Sequence, residues 1–308
     1  MTKVFIAGSA GTTGLRINER LAGRGDIELI TLPDALRKDE SARKQALYEA
    51  DIAFLCLPDA AAVEAVALAQ GSSVKIIDTS TAHRTDDDWA YGFPELTGLH
   101  EKIASSARIA NPGCHASGFI ALVAPLVEAG IIPADASLSC FSLTGYSGGG
   151  KKMIADYENP ESASKLASPG MYGLTQSHKH LPEMKKICGL EKAPVFCPVV
   201  APYYSGMEVT VPLTADMING SIEKIEETYI SYYNNQNGLV KFTKDDSAAF
   251  LYADALSGRD CMEITVTGNA ERILLVSRFD NLGKGASGAA IQNMNILMGL
   301  DEKTGLVL

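Results

Sequence analysis

Cys114 stands in the run Asn111-Pro112-Gly113-Cys114, directly before a helix-like segment at residues 116–129. That segment carries Phe119, Ile120, Leu122, Val123, Leu126 and Val127 on one apolar stripe, with Pro125 set to kink or loosen one turn. A cysteine at a helix start has its thiolate stabilised by N–H groups that have no intrahelical partner. The same N–H groups can hold the oxyanion of a tetrahedral intermediate. The bland alternative is a buried structural thiol. The Pro-Gly turn, which makes the sulfur project, favours the nucleophile.

A second chemical segment is Ser177-His178-Lys179-His180-Leu181-Pro182-Glu183. It holds two of the chain's five histidines and a carboxylate three residues after the second. If a helix begins here, Pro182 suits its first turn and His180 and Glu183 share a face. A neutral imidazole beside a carboxylate is a general base fit for a thiol. A surface turn is the alternative; a metal site lacks further ligands at familiar spacing.

The third is Gly8-Ser9-Ala10-Gly11-Thr12-Thr13-Gly14, between a strand-like run at residues 4–7 and a helix-like one at 15–21. Glycines there allow a tight turn and close approach to a pyrophosphate, which the helix N-terminus attracts. The spacing is a relaxed relative of the dinucleotide fingerprint. Where an acidic residue would meet the ribose of NAD, the chain has Leu32-Pro33, then Asp34, Arg37 and Lys38. That favours a 2′-phosphate, hence NADP.

The elements that must position these groups alternate at first. Strand-like runs lie at 28–32, 52–57 and 74–77, with Asp59 a candidate cap for an Ala-rich helix at 60–69. This predicts an α/β fold with a parallel sheet. Beyond Cys114, strand-like runs at 138–143, 195–200, 207–213, 262–266 and 273–276, with a helix at 222–233, predict an α+β domain with an antiparallel or mixed sheet. Residues 285–298 read as helical.

The 308 residues suit two domains, and the net charge of −10 argues against a nucleic-acid binder. An anionic substrate must be met by local positive charge. Six cysteines without a Cys-x-x-Cys pair support neither a zinc site nor a disulfide scaffold, and Cys56 reads as core. No run is long and apolar enough for a membrane span, and no secretory signal is seen, so a cytoplasmic protein is expected.

Together these segments resemble the N-acetyl-γ-glutamyl-phosphate reductase family of arginine biosynthesis, in its shorter form. The resemblance covers nearly the whole chain. It adds to the runs above Ile77-Asp78-Thr79-Ser80-Thr81-Ala82-His83-Arg84, Tyr91-Gly92-Phe93-Pro94-Glu95-Leu96, Gly145-Tyr146-Ser147-Gly148-Gly149-Gly150-Lys151 and Asp280-Asn281-Leu282-Gly283-Lys284-Gly285-Ala286. It implies a fold like that of aspartate-semialdehyde dehydrogenase and glyceraldehyde-phosphate dehydrogenase. That is an NADP-binding Rossmann domain (1–114 and 283–308) with an inserted catalytic and dimerisation domain (115–282), the C-terminal helix returning to the first.

The resemblance also implies roles. Cys114 is the nucleophile, His180 or His178 the base and Glu183 the orienting acid. Arg84, Ser80, Asn111 and Ser147 meet an acyl-phosphate substrate. Gly8, Ser9, Gly11, Thr12, Thr13, Gly14, Gly148, Asn281 and Lys284 meet NADPH. A homodimer or homotetramer is expected, without metal, membrane or nucleic-acid partners. His115 and Ala116 depart from the long form, which carries an aromatic residue after the cysteine, and Leu181 replaces a threonine there. Rival readings are an aspartyl-phosphate reductase, a cofactor-free cysteine hydrolase or acyltransferase, and a non-catalytic NADP sensor.

Overall fold

The computed structural model describes residues 1–162, 164–234, 238–244 and 249–308. The chain forms two units, Met1–Pro112 with Ala286–Leu306, and Gly113–Gly285 with Val307–Leu308. The division falls before Cys114 rather than after it, because Cys114 is the first residue of a helix that belongs to the second unit.

Strands β1 (Thr2–Ala7), β2 (Ile27–Ile30), β3 (Ile52–Leu55), β4 (Lys75–Asp78), β5 (Ala90–Tyr91) and β6 (Arg108–Ala110) form the sheet of the first unit. Their order is β2-β1-β3-β4-β6-β5 and every neighbouring pair is parallel. Parallel neighbours need crossovers, and α1 (Thr12–Leu21), α2 (Glu40–Glu49), α3 (Asp59–Leu68) and α4 (Leu99–Ser105) lie within them. Because side chains alternate along a strand, Val4, Ile6, Ile52 and Phe54 feed one apolar cluster, and Phe5, Ala53, Leu55 and Ile76 another.

Asp59 is not the cap of α3. Pro58 holds that position, and the Asp59 carboxylate accepts from the Thr81 N–H at 2.9 Å and the Thr81 hydroxyl at 2.6 Å. Asp59 thus ties the loop after β4 to the start of α3. The true side-chain cap is Asp39, which accepts from Ala42 N–H at 2.8 Å and opens α2.

The second unit holds β7 (Ser139–Gly145), β8 (Gly170–Met171), β9 (Val195–Ala201), β10 (Met207–Thr214), β11 (Val240–Phe242), β12 (Met262–Gly268) and β13 (Arg272–Phe279). Their order is β11-β12-β13-β10-β7-β9-β8. The sheet is mixed: β7–β9 and β11–β12 are parallel pairs, and the other pairs are antiparallel.

The helices of this unit are α5 (Cys114–Glu128), α6 (Gly150–Glu158), α7 (Leu181–Ile187) and α8 (Ile222–Tyr229), the last extended by a π turn at Ile230–Asn234. Helix α5 packs on β10, β13, α7 and α8, so it is buried almost all round rather than along one stripe. A Cβ on Gly118 would come within 2.5 Å of Val209 Cγ2, so glycine lets the helix lie against the sheet.

The helix runs through Pro125, which has no N–H for the Ala121 carbonyl. The Tyr233 hydroxyl donates to that carbonyl at 2.7 Å, and the Tyr229 hydroxyl donates to Leu122 O at 2.5 Å. Two tyrosines thereby supply donors where the expected loosening would occur.

Helix α9 (Gly288–Leu297) returns to the first unit, is buried along its whole length and packs on α1, α4 and β4. Among the cysteines only Cys140 and Cys188 are buried. Cys56, read as core, keeps partial exposure, although burial pushes its thiol up to about 12. Among the described residues no helix is long and apolar enough to cross a membrane.

Candidate active site

In the first unit the strand order reverses between β1 and β3, and a crevice at such a point is where parallel α/β sheets take ligands. Gly8, at the end of β1, has φ +83°, and a Cβ there would lie 2.1 Å from the Cys56 carbonyl oxygen. A Cβ on Gly14 would lie 2.4 Å from the Gly8 carbonyl oxygen. Only glycine fits at either position. Gly11 N–H closes the turn on Gly8 O at 2.9 Å, and Thr12 and Thr13 open α1.

Beside this turn lies a cavity of about 300 Å³, lined by Gly8, Ser9, Ala10, Asn18, Thr31, Arg37, Lys38 and Arg43 among others. Two buried polar atoms have no hydrogen-bond partner among the described residues: Thr12 Oγ1, at the start of α1, and a guanidinium nitrogen of Arg43, which lines the cavity. Buried polar atoms are rarely left so unless a ligand completes them. Arg37 and Lys38 line the cavity as the sequence suggested, although Arg37 also pairs with Asp34 at 2.8 Å. Arg43 was not foreseen, since it reaches the cavity only through the placement of α2.

The loop after β4 is a buried polar network. The Asp78 carboxylate accepts from Ser80 N–H and Ser80 Oγ at 2.9 and 2.7 Å and meets His83 Nδ1 at 2.7 Å. His83 stacks on Trp89 with 4.0 Å between centroids. Arg84 is buried, not a surface arginine, and donates to Asn111 O and Thr79 O, each at 2.9 Å. The Asn111 amide donates to Ala286 O at 3.1 Å and accepts from Asn293 at 3.1 Å. Ser80, Arg84 and Asn111 therefore all shape the backbone of this unit.

In the second unit Cys114 occupies the first position of α5. Gly113 precedes it as cap, and its N–H donates to Glu183 Oε1 at 2.9 Å. Glu183 sits in the first turn of α7 with Pro182 beside it, and His180 is the cap of that helix. So Glu183 holds the backbone under the thiol, a role the His-Glu spacing did not disclose.

His178 and His180 approach to 4.7 Å between centroids, and His178 Nδ1 accepts from the His180 N–H at 3.2 Å. Burial, then Lys179, lowers the His178 pKa, which favours the neutral ring. His115 lies 5.9 Å from His178 and 5.7 Å from His180. It bonds Ser142 Oγ through Nδ1 at 2.6 Å and Tyr172 Oη through Nε2 at 2.5 Å. Burial, with His178 second, pushes His115 down to about 3. The sequence marked His115 only as a departure from the long form and did not mark Tyr172 or Ser142.

Across the same unit, Asn281 accepts from Gly206 N–H and donates to Ser147 Oγ, both at 3.0 Å. Gly148 follows Ser147 and is exposed. Lys284 is buried in the π turn Gly283–Ser287. A Cβ on the next residue, Gly285, would lie 3.1 Å from Cys114 Cβ, so this turn passes close to the thiol. Among the described residues no group of three His, Cys, Asp or Glu side chains is arranged to hold a metal.

A parallel sheet with a glycine turn and a mixed-sheet unit with a cysteine at a helix start are the parts of an NADP-dependent oxidoreductase of the semialdehyde dehydrogenase type. Two family models match: "Semialdehyde dehydrogenase, NAD binding domain" over residues 3–106 and "Semialdehyde dehydrogenase, dimerisation domain" over residues 114–281. The N-acetyl-γ-glutamyl-phosphate reductase 2 of Nostoc sp. is 45% identical, covering 99% of both chains. The N-acetyl-γ-glutamyl-phosphate reductase of Sinorhizobium medicae is 46% identical over 96% of this chain and 98% of its own. The chain belongs to the N-acetyl-γ-glutamyl-phosphate reductase family.

Among solved structures, aspartate semialdehyde dehydrogenase II of Vibrio cholerae superposes with TM-score 0.71 at 16% identity, covering 97% of this chain and 98% of that one. The aspartate semialdehyde dehydrogenase of Francisella tularensis gives 0.71 at 17%, with 97% and 100% covered. These last two share the fold.

Proposed function

We propose that this chain reduces N-acetyl-γ-glutamyl phosphate to N-acetylglutamate γ-semialdehyde with NADPH, releasing phosphate, as a cytoplasmic step of arginine biosynthesis. The observation that carries the chemistry is Cys114 at the first position of α5, with His178 and His180 gathered around His115, the next residue along the helix.

The Cys114 thiolate attacks the acyl-phosphate carbonyl, and N–H groups at the start of α5 hold the developing oxyanion. Phosphate leaves and an acyl thioester remains on Cys114. Bound NADPH supplies a hydride to an acyl group so activated. The thiohemiacetal collapses to the aldehyde, and His180 or His178 carries the thiol proton, burial keeping His178 in the neutral form that can take one. Glu183 fixes Gly113, and with it the helix start that carries the sulfur.

The residues present fit the cofactor. Gly8, Ser9, Gly11, Thr12, Thr13 and Gly14 would cradle its pyrophosphate, the partnerless Thr12 hydroxyl supplying one contact. Lys38 and Arg43 would meet the 2′-phosphate. Gly148, Asn281 and Lys284 would contact the cofactor, Asn281 also bracing the Ser147 turn. Arg84 receives the anionic group of the substrate, held by the Asn111 and Thr79 carbonyls.

The test is the reverse reaction: protein, NADP, inorganic phosphate and N-acetylglutamate γ-semialdehyde, with aspartate semialdehyde in parallel. Phosphate-dependent reduction of NADP with the acetylated substrate is the expected result, and its loss in Cys114→Ser with NADPH binding intact. Reduction only with aspartate semialdehyde would keep the chemistry and overturn the substrate.

The chain assembles into a homodimer or homotetramer through its second unit. Its matched dimerisation model and the exposed strand residues Phe141, Val195 and Leu274 support this. A monomer in sedimentation at micromolar concentration would refute it.

A further inference from the structure

The hydroxyl of Ser142 is buried in β7 and, among the described residues, makes one side-chain hydrogen bond, to His115 Nδ1 at 2.6 Å. A buried hydroxyl must place its proton on an acceptor, and Nδ1 is the acceptor present. Nδ1 therefore carries no proton. The ring is neutral, because burial pushes it down to about 3, so its single proton resides on Nε2. Nε2–H then donates to Tyr172 Oη at 2.5 Å. Once Tyr172 Oη accepts from the imidazole, its own proton is directed elsewhere, and no other acceptor for it stands among the described residues. The phenol is bonded to the residue that follows Cys114 on α5, and burial first, with Cys114 second, disfavours the phenolate. The Tyr172 hydroxyl is thus a protonated donor beside the nucleophile.

We propose that Ser142, His115 and Tyr172 form a one-way hydrogen-bond relay that aims the Tyr172 O–H at the carbonyl oxygen of the acyl group carried on Cys114. Tyr172 is then a further catalytic residue, a side-chain donor to the oxyanion that complements the N–H groups of α5. His115 and Ser142 are positioning residues that act through it. The relay rests on the reductase reading for what Tyr172 touches, but not for its direction. Polarised chains of this kind strengthen the last donor. No proton is transferred; the tyrosine stays protonated throughout.

Two measurements test it. The first is the tautomer of His115, read by long-range ¹⁵N–¹H correlation in the wild-type protein labelled with ¹⁵N-histidine and assigned by comparison with His115→Phe. A proton on Nε2 is expected. A proton on Nδ1 overturns the relay whatever the enzyme does.

The second is a kinetic cycle in the reverse reaction. Tyr172→Phe keeps the ring and removes the donor. It should lower kcat by about a hundredfold, the usual effect of losing one oxyanion donor. KM and the rate of Cys114 alkylation should stay near wild type, while the urea midpoint falls, because the buried His115 Nε2–H loses its acceptor. Ser142→Ala and His115→Phe should lower kcat on their own and have no further effect in the Tyr172→Phe background. Wild-type kcat in Tyr172→Phe, or effects that multiply in the double variants, would overturn the proposal, and Ser142→Ala serves if His115→Phe does not fold. Absence of any reductase activity in wild type, with the expected tautomer, would instead refute the reductase reading and leave the direction of the relay supported.

Discussion

His115 is held neutral in the folded protein, and that has a consequence for stability as well as for geometry. Its ordinary value of 6.5 falls to about 3, from burial first and His178 second. As pH drops through 6.5 the unfolded chain takes up a proton that the folded chain refuses. The contribution of this ring is therefore full above pH 6.5 and is lost as pH falls from 6.5 toward 3, at up to about 1.4 kcal/mol per pH unit. Urea titrations between about pH 7 and about pH 5 should show a steeper loss of stability in wild type than in His115→Phe. Equal slopes would mean that the folded ring titrates normally. The place of Cys114 at a helix start was legible from residue type and spacing, because a Pro-Gly turn before an apolar run marks one, whereas the bond from Gly113 N–H to Glu183 joins distant segments and was not. Tyr172 was not: it follows a two-residue strand, and only the fold brings its hydroxyl to His115.

At the scale of elements, α5 depends on donors from outside itself. Pro125 leaves Ala121 O without its ladder bond, and Tyr233 supplies the replacement. Tyr233→Phe strands that carbonyl and should cost about 1–3 kcal/mol by urea denaturation. Pro125→Ala restores an N–H at the right place, so it should recover part of the loss in the double variant. A double variant no more stable than Tyr233→Phe would show that the hydroxyl bond is not what Pro125 made necessary. Strong patterns such as β3, β10 and α5 were readable. Helix α2 was not, because it buries only Ala46 and Leu47 and shows no apolar stripe. Strands β5 and β8 span two residues each, too short for alternation to register. Asp59 misled because its carboxylate serves Thr81, a partner on another element.

For the whole molecule, the net charge of −10 opposes an anionic cofactor, so its capture rests on local positive groups. Arg43 is the half-buried one of these, with one shielded guanidinium nitrogen that has no partner among the described residues. A ligand at a hundred times its dissociation constant adds about 2.7 kcal/mol to stability, which a thermal shift reads directly. Arg43→Met should shrink the shift given by NADPH while leaving that of NADH unchanged. Equal losses with both nucleotides would place Arg43 away from the 2′-phosphate.

The first unit is assembled from both ends of the chain: Met1–Pro112 emerges early and Ala286–Leu306 last. On the ribosome the intervening stretch takes on the order of ten to thirty seconds to appear. During that interval the apolar side chains that α9 covers, among them Ile17, Ile77 and Ile103, stand without their lid. The nucleotide-binding half is thus begun before the second unit is synthesised and completed only after it. A chain that stops before Ala286 lacks α9 and leaves that apolar surface uncovered, so it should aggregate where the full chain stays dispersed.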